Sequence, residues 1–151
     1  MLEMVKIFFI AMLPIFELRG AIPVGVAMGV DIYKTFLLAV LGNMLPVPFI
    51  ILLFRKILQF LQTKPRFKRL AEKYEEKLRL KSQKVQTLGL IGLAIFVAIP
   101  LPGTGAWTGA FIASILEMRL KHSIFSILLG VLTAGVIVSA ATIGVIHFLG
   151  S

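Results

Sequence analysis

Pro14-Ile15-Phe16-Glu17-Leu18-Arg19-Gly20-Ala21-Ile22-Pro23 is the stretch whose reading decides the fold. A carboxylate and a guanidinium stand two residues apart, with apolar sequence on both sides. Ionisable groups at membrane depth are costly, so they are rare there and usually functional. Two prolines and a glycine surround the pair, where a straight helix would not carry them. Pro100-Leu101-Pro102-Gly103-Thr104-Gly105-Ala106-Trp107-Thr108-Gly109 repeats this break-and-restart pattern without charges. The two stretches are expected to be the tips of two membrane hairpins that meet at one site.

Composition sets the membrane context. Of 151 residues, 58% are hydrophobic and 15% charged, with a mean hydropathy of +0.97; soluble domains carry about 25% charged residues. The length suits one membrane domain over 1–151, with at most about six spans of roughly 20 residues. Without cysteine, neither a disulfide nor a thiolate metal site can form. A net charge of +9 is common in nucleic-acid binders, but 11 of the 16 Lys and Arg fall between Arg55 and Lys84. That clustering is a topology signal, and no nucleic-acid partner is expected. The N-terminal run contains Glu17 and Arg19 and lacks an Ala-x-Ala-like site, so it does not read as a cleaved signal.

In chain order, Val5 to Ile15 is apolar except for Lys6. As a helix it would cover about 16 Å of a core of about 30 Å. Ala21 to Val30 is a second short apolar piece, with Gly25 and Gly29 spaced for close helix approach. Two half-length pieces joined by a polar, proline-flanked turn are expected to form a re-entrant hairpin, and the competing reading is one long kinked span from Met4 to Val30. Asp31 and Lys34 mark an interface, and Thr35 to Phe54 is a full uncharged span. Pro46 and Pro48 should kink it and free carbonyls around Gly42 to Met44. Asn43, inside the same span, reads either as a helix–helix hydrogen bond or as a ligand.

Residues 55–87 form a basic linker expected in the cytoplasm. Phe67, Leu70, Ala71, Tyr74 and Leu78 recur there at helical spacing after Pro65, which predicts an amphipathic helix. Arg66, Phe67, Lys68, Arg69, Tyr74 and Lys77 are its candidate membrane-surface residues, held by anionic lipid headgroups. Leu88 to Ala98 and Ala106 to Leu116 flank the second break as half-length pieces. Glu117, Arg119, Lys121 and His122 mark an interface, and Ser123 to Leu149 is a second full span rich in small residues. His122 and His147 read as interfacial.

The halves 1–54 and 88–151 thus share one order of elements: half-helix, break, half-helix, interface charges, full span. Pro14 falls against Pro100, Gly20 against Gly105 and Gly42 against Gly130. Each half crosses once, so the two have opposite orientation, which is a transporter architecture. The expected fold is all-α integral membrane: two inverted repeats, each a re-entrant hairpin plus one full transmembrane helix, with a cytoplasmic amphipathic helix between them. The positive-inside rule puts residues 55–87 in the cytoplasm of a multi-pass cell-membrane protein and both termini outside. A homodimer would shield the hairpins.

Glu17-Leu18-Arg19-Gly20-Ala21-Ile22-Pro23, taken with the Pro100 to Gly109 stretch, resembles the small multidrug export protein family over nearly the whole chain. That family is similar in layout to the DedA/VTT superfamily, membrane proteins with two facing re-entrant hairpins. The resemblance implies transport, and the DedA likeness implies lipid or polyprenyl-phosphate translocation and proton coupling. The second DedA motif carries arginines flanking its Pro-Gly; here the matching positions are Ile99 and Gly105, so Arg19 is the one fixed positive charge at the site.

The residues themselves suggest an anion-accepting pocket at the tips. Arg19 offers a planar donor fork for phosphate or carboxylate. Amides near Gly20 and Ala21, and those of Gly103, Thr104 and Gly105, would add donors. Thr104 and Thr108 supply hydroxyls, and Trp107 an amphipathic wall. Glu17 is the candidate proton carrier, set against a static ion pair that fixes the tip. The full substrate- and proton-binding set is Glu17, Arg19, Gly20, Pro23, Asn43, Pro102, Gly103, Thr104, Gly105, Trp107 and Thr108. No cofactor or metal is expected. No nucleophile or metal-spaced cluster supports an enzyme, so the expectation is a secondary transporter or translocase of an amphipathic or anionic substrate. Export of small drugs and a structural role for the basic helix are the alternatives.

Overall fold

The structure is a computed structural model describing residues 1–66, 68, 69, 72 and 82–151, with backbone only over 82–86. Among the described residues there are seven helices and no strand. The helices are α1 (Leu2–Met12), α2 (Glu17–Ala27), α3 (Ile32–Met44), α4 (Pro46–Gln62), α5 (Ser82–Ala98), α6 (Ala106–Ile115) and α7 (Leu120–Leu149). Of the expected amphipathic helix, Phe67, Tyr74 and Lys77 lie outside the described residues, while Arg66, Lys68 and Arg69 are helical and exposed.

Proline and glycine set most of the boundaries. Pro14 lies in the Leu13–Phe16 turn between α1 and α2. The α2 helix starts at Glu17, four residues before the expected start at Ala21, so Glu17 and Arg19 form its first turn. An acid is welcome there because the helix N-terminus carries positive partial charge. Asp31 caps α3 by accepting from the amides of Tyr33 and Lys34 at 3.1 and 3.3 Å. The helix is interrupted at Leu45, where the kink was expected, although Leu45 keeps helical dihedrals and donates to Leu41 O at 3.1 Å. Pro46 and Pro48 bring no N–H for the carbonyls of Gly42 and Met44. Helix α4 runs on to Gln62 and α5 begins at Ser82, so helix reaches into both ends of the expected 55–87 linker.

Two helical stretches are long and apolar enough to cross a membrane, Ile32–Gln62 with 31 residues and Leu120–Leu149 with 30. They are not buried core helices of a soluble fold. Leu37 and Phe49 on the first are 60% and 67% exposed, and Phe125 and Val136 on the second are 62% and 61% exposed. Large apolar side chains left outside along both lengths mark a lipid-facing surface. At about 1.5 Å per residue, α1, α2 and α6 reach only about half of a ~30 Å bilayer core.

Helices in such a setting associate through close packing, because lipid removes the hydrophobic drive between them. Helices α1 and α2 form a hairpin in which Gly25 lies against Ile7 and against Thr35 of α3. Helices α5 and α6 pair likewise, with Gly109 against Val97 and Leu93. The first arm of each hairpin packs on the long helix that follows it: Gly42 of α3 meets the Phe8 carbonyl and Ala11, and Gly130 of α7 meets the Ala94 carbonyl and Val97. The second arms reach across, α2 to α7 and α6 to α4. Phe54 and Phe111 stack edge to face at 4.9 Å in the α4–α6 contact, and Ser114 donates there to Ala110 O at 2.8 Å, within 3.3 Å of Ile51 O.

A Cβ added at Gly42 would stand 2.3 Å from the Phe8 carbonyl oxygen, which is backbone and cannot swing aside. Gly42→Ala is expected to lower stability by about 1–3 kcal/mol. Gly144→Ala, whose added Cβ meets no described atom within 4 Å, should leave the melting temperature in detergent unchanged or slightly raised; equal losses in the two would refute this packing.

Candidate functional site

The site is built where the two breaks touch. Its centre is Glu17, 4% exposed, on the first turn of α2. Its backbone is left-handed at φ +48°, a conformation costly for a residue with a Cβ and kept only where the surroundings dictate it. Oε2 accepts from Arg19 Nη1 at 2.8 Å, and Oε1 accepts from the Trp107 amide at 3.2 Å. Trp107 is the second residue of α6. The carboxylate of one hairpin therefore caps the helix that restarts in the other, satisfying a free N–H and the positive end of its dipole together.

Gly105 makes this approach feasible. It occupies the cap position of α6, where no side chain of its own serves the helix. A Cβ there would lie 1.6 Å from Glu17 Oε2. The glycine is required for room, since its φ of −84° is open to any residue.

Arg19 completes the clasp from the same helix turn. Nη2 donates to the Ile99 carbonyl at 3.0 Å and to Thr104 Oγ1 at 3.1 Å. Thr104 is held by the turn around it. Its amide donates to Leu101 O at 3.3 Å, with Pro102 and Gly103 between them and Gly103 at φ +83°. Pro followed by a positive-φ glycine is the pattern of a type II turn. The Thr104 hydroxyl lies 2.6 Å from Ile99 O and 2.8 Å from Leu101 O, and has one proton for the two. Trp107 adds a third link, donating from its indole nitrogen to Met12 O at 3.0 Å.

Glu17, Arg19, Thr104, Gly105 and Trp107 of the expected set thus come together directly. Pro102 and Gly103 shape the adjoining exposed turn, and Thr108 is half-buried one residue beyond Trp107. Gly20 provides no anion nest, because its amide already donates to Phe16 O at 2.8 Å; the reason is the earlier start of α2. Pro23 is exposed, within α2. Asn43 makes no helix–helix hydrogen bond among the described residues. His122 and His147 are exposed, as expected of interfacial groups.

The donor fork expected to face a substrate is engaged. Arg19 Nη1 and Nη2 hold protein atoms, and buried Nε has no partner among the described residues. Sequence reasoning missed the carbonyls of Ile99 and Met12 as acceptors. It also missed Glu17 as a cap, for which the side-chain-free Gly105 at a helix start was the available signal. An apolar cavity of about 560 Å³ lies beside the clasp, lined by Val5, Lys6, Phe9, Ile10, Met12, Leu13, Pro14 and Trp107. A smaller one of about 200 Å³ is lined by Arg55, Leu58, Gln59, Ser114 and Glu117.

Removing Arg19 leaves a buried carboxylate without its countercharge, which costs about 3–5 kcal/mol, whereas apolar replacement of both partners is close to neutral. Arg19→Ala should lose most of its thermal stability margin, and the double variant Glu17→Leu/Arg19→Leu should recover it. Melting in detergent micelles checks both; a double variant as unstable as the single would argue against the pairing.

The family model described as "Putative small multi-drug export protein" matches residues 17–137. No curated protein and no solved structure matches the chain.

Proposed function

From the premise that the chain belongs to that small multi-drug export family, we propose that it is a membrane transporter that moves an amphipathic anion, of lipid-phosphate type, past the Glu17–Arg19 clasp. The observation that carries this reading is the dual engagement of Glu17. Its carboxylate occupies the place an incoming anion would take, between a guanidinium and a helix N-terminus. Protonating Glu17 would loosen both contacts and release Arg19 Nη1 and the Trp107 amide to a substrate oxyanion. A proton would then enter with each anion, and its departure would restore the clasp behind the released substrate.

In the proposed topology, α1–α2 and α5–α6 are re-entrant hairpins of two inverted repeats. The paired contacts support it. Ala94 and Val97 lie 86 positions after Phe8 and Ala11, and Gly130 lies 88 after Gly42, the glycine they meet. Positive-inside bias places residues 55–87, with Arg119 and Lys121, in the cytoplasm and both termini outside. Arg66, Lys68 and Arg69 then face anionic headgroups, and a homodimer would cover part of the exposed apolar surface. The likeness to DedA proteins belongs to this same reading.

A second reading is export of small lipophilic drugs. The family description favours it, as does the apolar cavity ending at Trp107. Both readings make the protein a carrier and leave the substrate chemically unchanged.

Proteoliposomes test the proposal, with a polyprenyl phosphate, a phospholipid and a lipophilic cation as substrates, with and without a pH gradient. Wild type should move the phosphate lipid faster under the gradient. Glu17→Gln should fall by at least about tenfold, as for a lost charge-assisted contact, and the double variant Glu17→Leu/Arg19→Leu, which keeps its stability, should fall as far. Movement of the cation alone would favour drug export, and variants that match wild type would overturn the clasp as the transport site.

A further inference from the structure

The cavity of about 200 Å³ lined by Arg55, Leu58, Gln59, Ser114 and Glu117 lies at the other end of α6 from Trp107 and shares no residue with the clasp. Arg55 has one described hydrogen bond, from Nη2 to the Met118 carbonyl, and its buried Nε has no partner among the described residues. Gln59 stands one helix turn further along the same face of α4. Arg55 and Glu117 bring opposite charges to one small cavity, yet they form no ion pair among the described residues.

The backbone argues that Glu117 stands there for its side chain. Helix α6 closes with the Met118 amide donating to Ala113 O at 3.0 Å and the Glu117 amide to Ser114 O at 3.2 Å. Helix α2 closes on the same two bonds, Val30 to Gly25 O at 3.1 Å and Gly29 to Val26 O at 2.9 Å. This is the Schellman ending, in which the residue just past the helix is left-handed and usually glycine. Gly29 holds that place at φ +79°, whereas α6 puts Glu117 in it at φ +50°. A glutamate there carries a conformational cost that glycine avoids. What it adds is a carboxylate on the cavity that holds Arg55.

Both charges stand where the chain leaves the hydrocarbon. Each is the first charged residue after an uncharged apolar run, 35–54 for Arg55 and 88–116 for Glu117. A purely anionic headgroup meets repulsion from Glu117, and a purely cationic one meets it from Arg55. A group with both charges a few bonds apart satisfies both. At about 30 Å³ per water, the cavity has room for roughly seven water-sized groups, enough for a phosphate with an aminoethyl arm and too little for acyl chains. Quaternary ammonium is recognised by aromatic cages, and no aromatic residue lines this cavity among the described residues. A primary ammonium, with three N–H donors, suits a carboxylate. Exposed Ile57, Ile115 and Leu116, next in sequence to the lining residues or nearly so, offer apolar surface for the chains.

We propose that this cavity seats the headgroup of an aminophospholipid of the phosphatidylethanolamine type, its phosphate on Arg55 and Gln59 and its primary ammonium on Glu117. The bound lipid is a resident of the bilayer contact, and its site needs neither Glu17 nor a translocated substrate.

The test places the full chain in nanodiscs of equal parts phosphatidylcholine, phosphatidylethanolamine and phosphatidylglycerol, extracts it into detergent and counts the retained lipids by mass spectrometry. Wild type should keep about one phosphatidylethanolamine per chain, enriched at least about tenfold over each of the others, as for a hydrogen bond to a charged group. Glu117→Gly should lose that enrichment while melting in phosphatidylcholine no lower than wild type, because glycine suits the left-handed position; the fluorescence of Trp107 reports the melting. Glu117→Gln should lose it as well, and decides the matter should the glycine variant not fold. Preference for phosphatidylglycerol, no preference, or a folded Glu117 variant that keeps the enrichment would overturn the site. Soluble phosphoethanolamine should leave Tm in detergent unchanged; a rise equal to that given by the lipid would overturn the assignment to a lipid in favour of a free phosphate ester. Glu17→Gln should retain the lipid as wild type does, so a failure of the clasp as a transport site and a failure of this site are told apart.

Discussion

Charge held in a place that resists it organises this molecule. Glu17 and Arg19 lie on one turn of α2, and each also hydrogen-bonds the opposite hairpin. Attraction between the two charges offsets part of their desolvation, and the backbone groups of Ile99 and Trp107 offset more. Those groups are themselves open because the chain breaks at Pro100 to Gly105. Each interruption therefore supplies what the other lacks. The left-handed backbone of Glu17, costly for a residue with a Cβ, belongs to the same arrangement.

Around the clasp, the packing rests on the absence of side chains. Gly25, Gly42, Gly109 and Gly130 each bring a neighbouring helix within reach of their backbone. Where lipid competes equally well for apolar surface, such close approach is what separates a specific bundle from a loose one. Buried Ala11, Ala21, Ala39, Ala106, Ala110, Ala113 and Ala134 extend the same principle through the interior. Large apolar residues such as Ile7, Leu18, Ile51 and Ile127 fill the core, and many others are left exposed outside it, more than a soluble domain shows.

Much of this was legible in the residues. The two breaks follow from Pro14 and from the Pro100-Leu101-Pro102-Gly103 run, and the kink from Pro46 and Pro48. Boundaries near charges were harder. Glu17 and Arg19 look like an interruption on a hydropathy basis, yet an acid in a first turn favours the helix, so α2 begins with them. The start of α5 at Ser82 was hidden by the polar composition before Leu88. What no local pattern encodes is partnership at a distance. Gly105 announces a helix start without a side-chain cap, but nothing near it names a carboxylate 88 positions earlier as the substitute. The orphaned amide of Asn43 is a similar case, because the expected hydrogen bond depended on a neighbouring helix offering a partner.

Leu45 divides the first long stretch into pieces with different allegiances. Helix α3 is packed on α1 and α2, whereas α4 is packed on α6. One continuous apolar segment is thus shared between two bodies, joined through a residue with helical dihedrals and two missing hydrogen bonds beyond it. One chain segment therefore ties the two helix pairs together, and the two prolines leave it least braced where it passes between them.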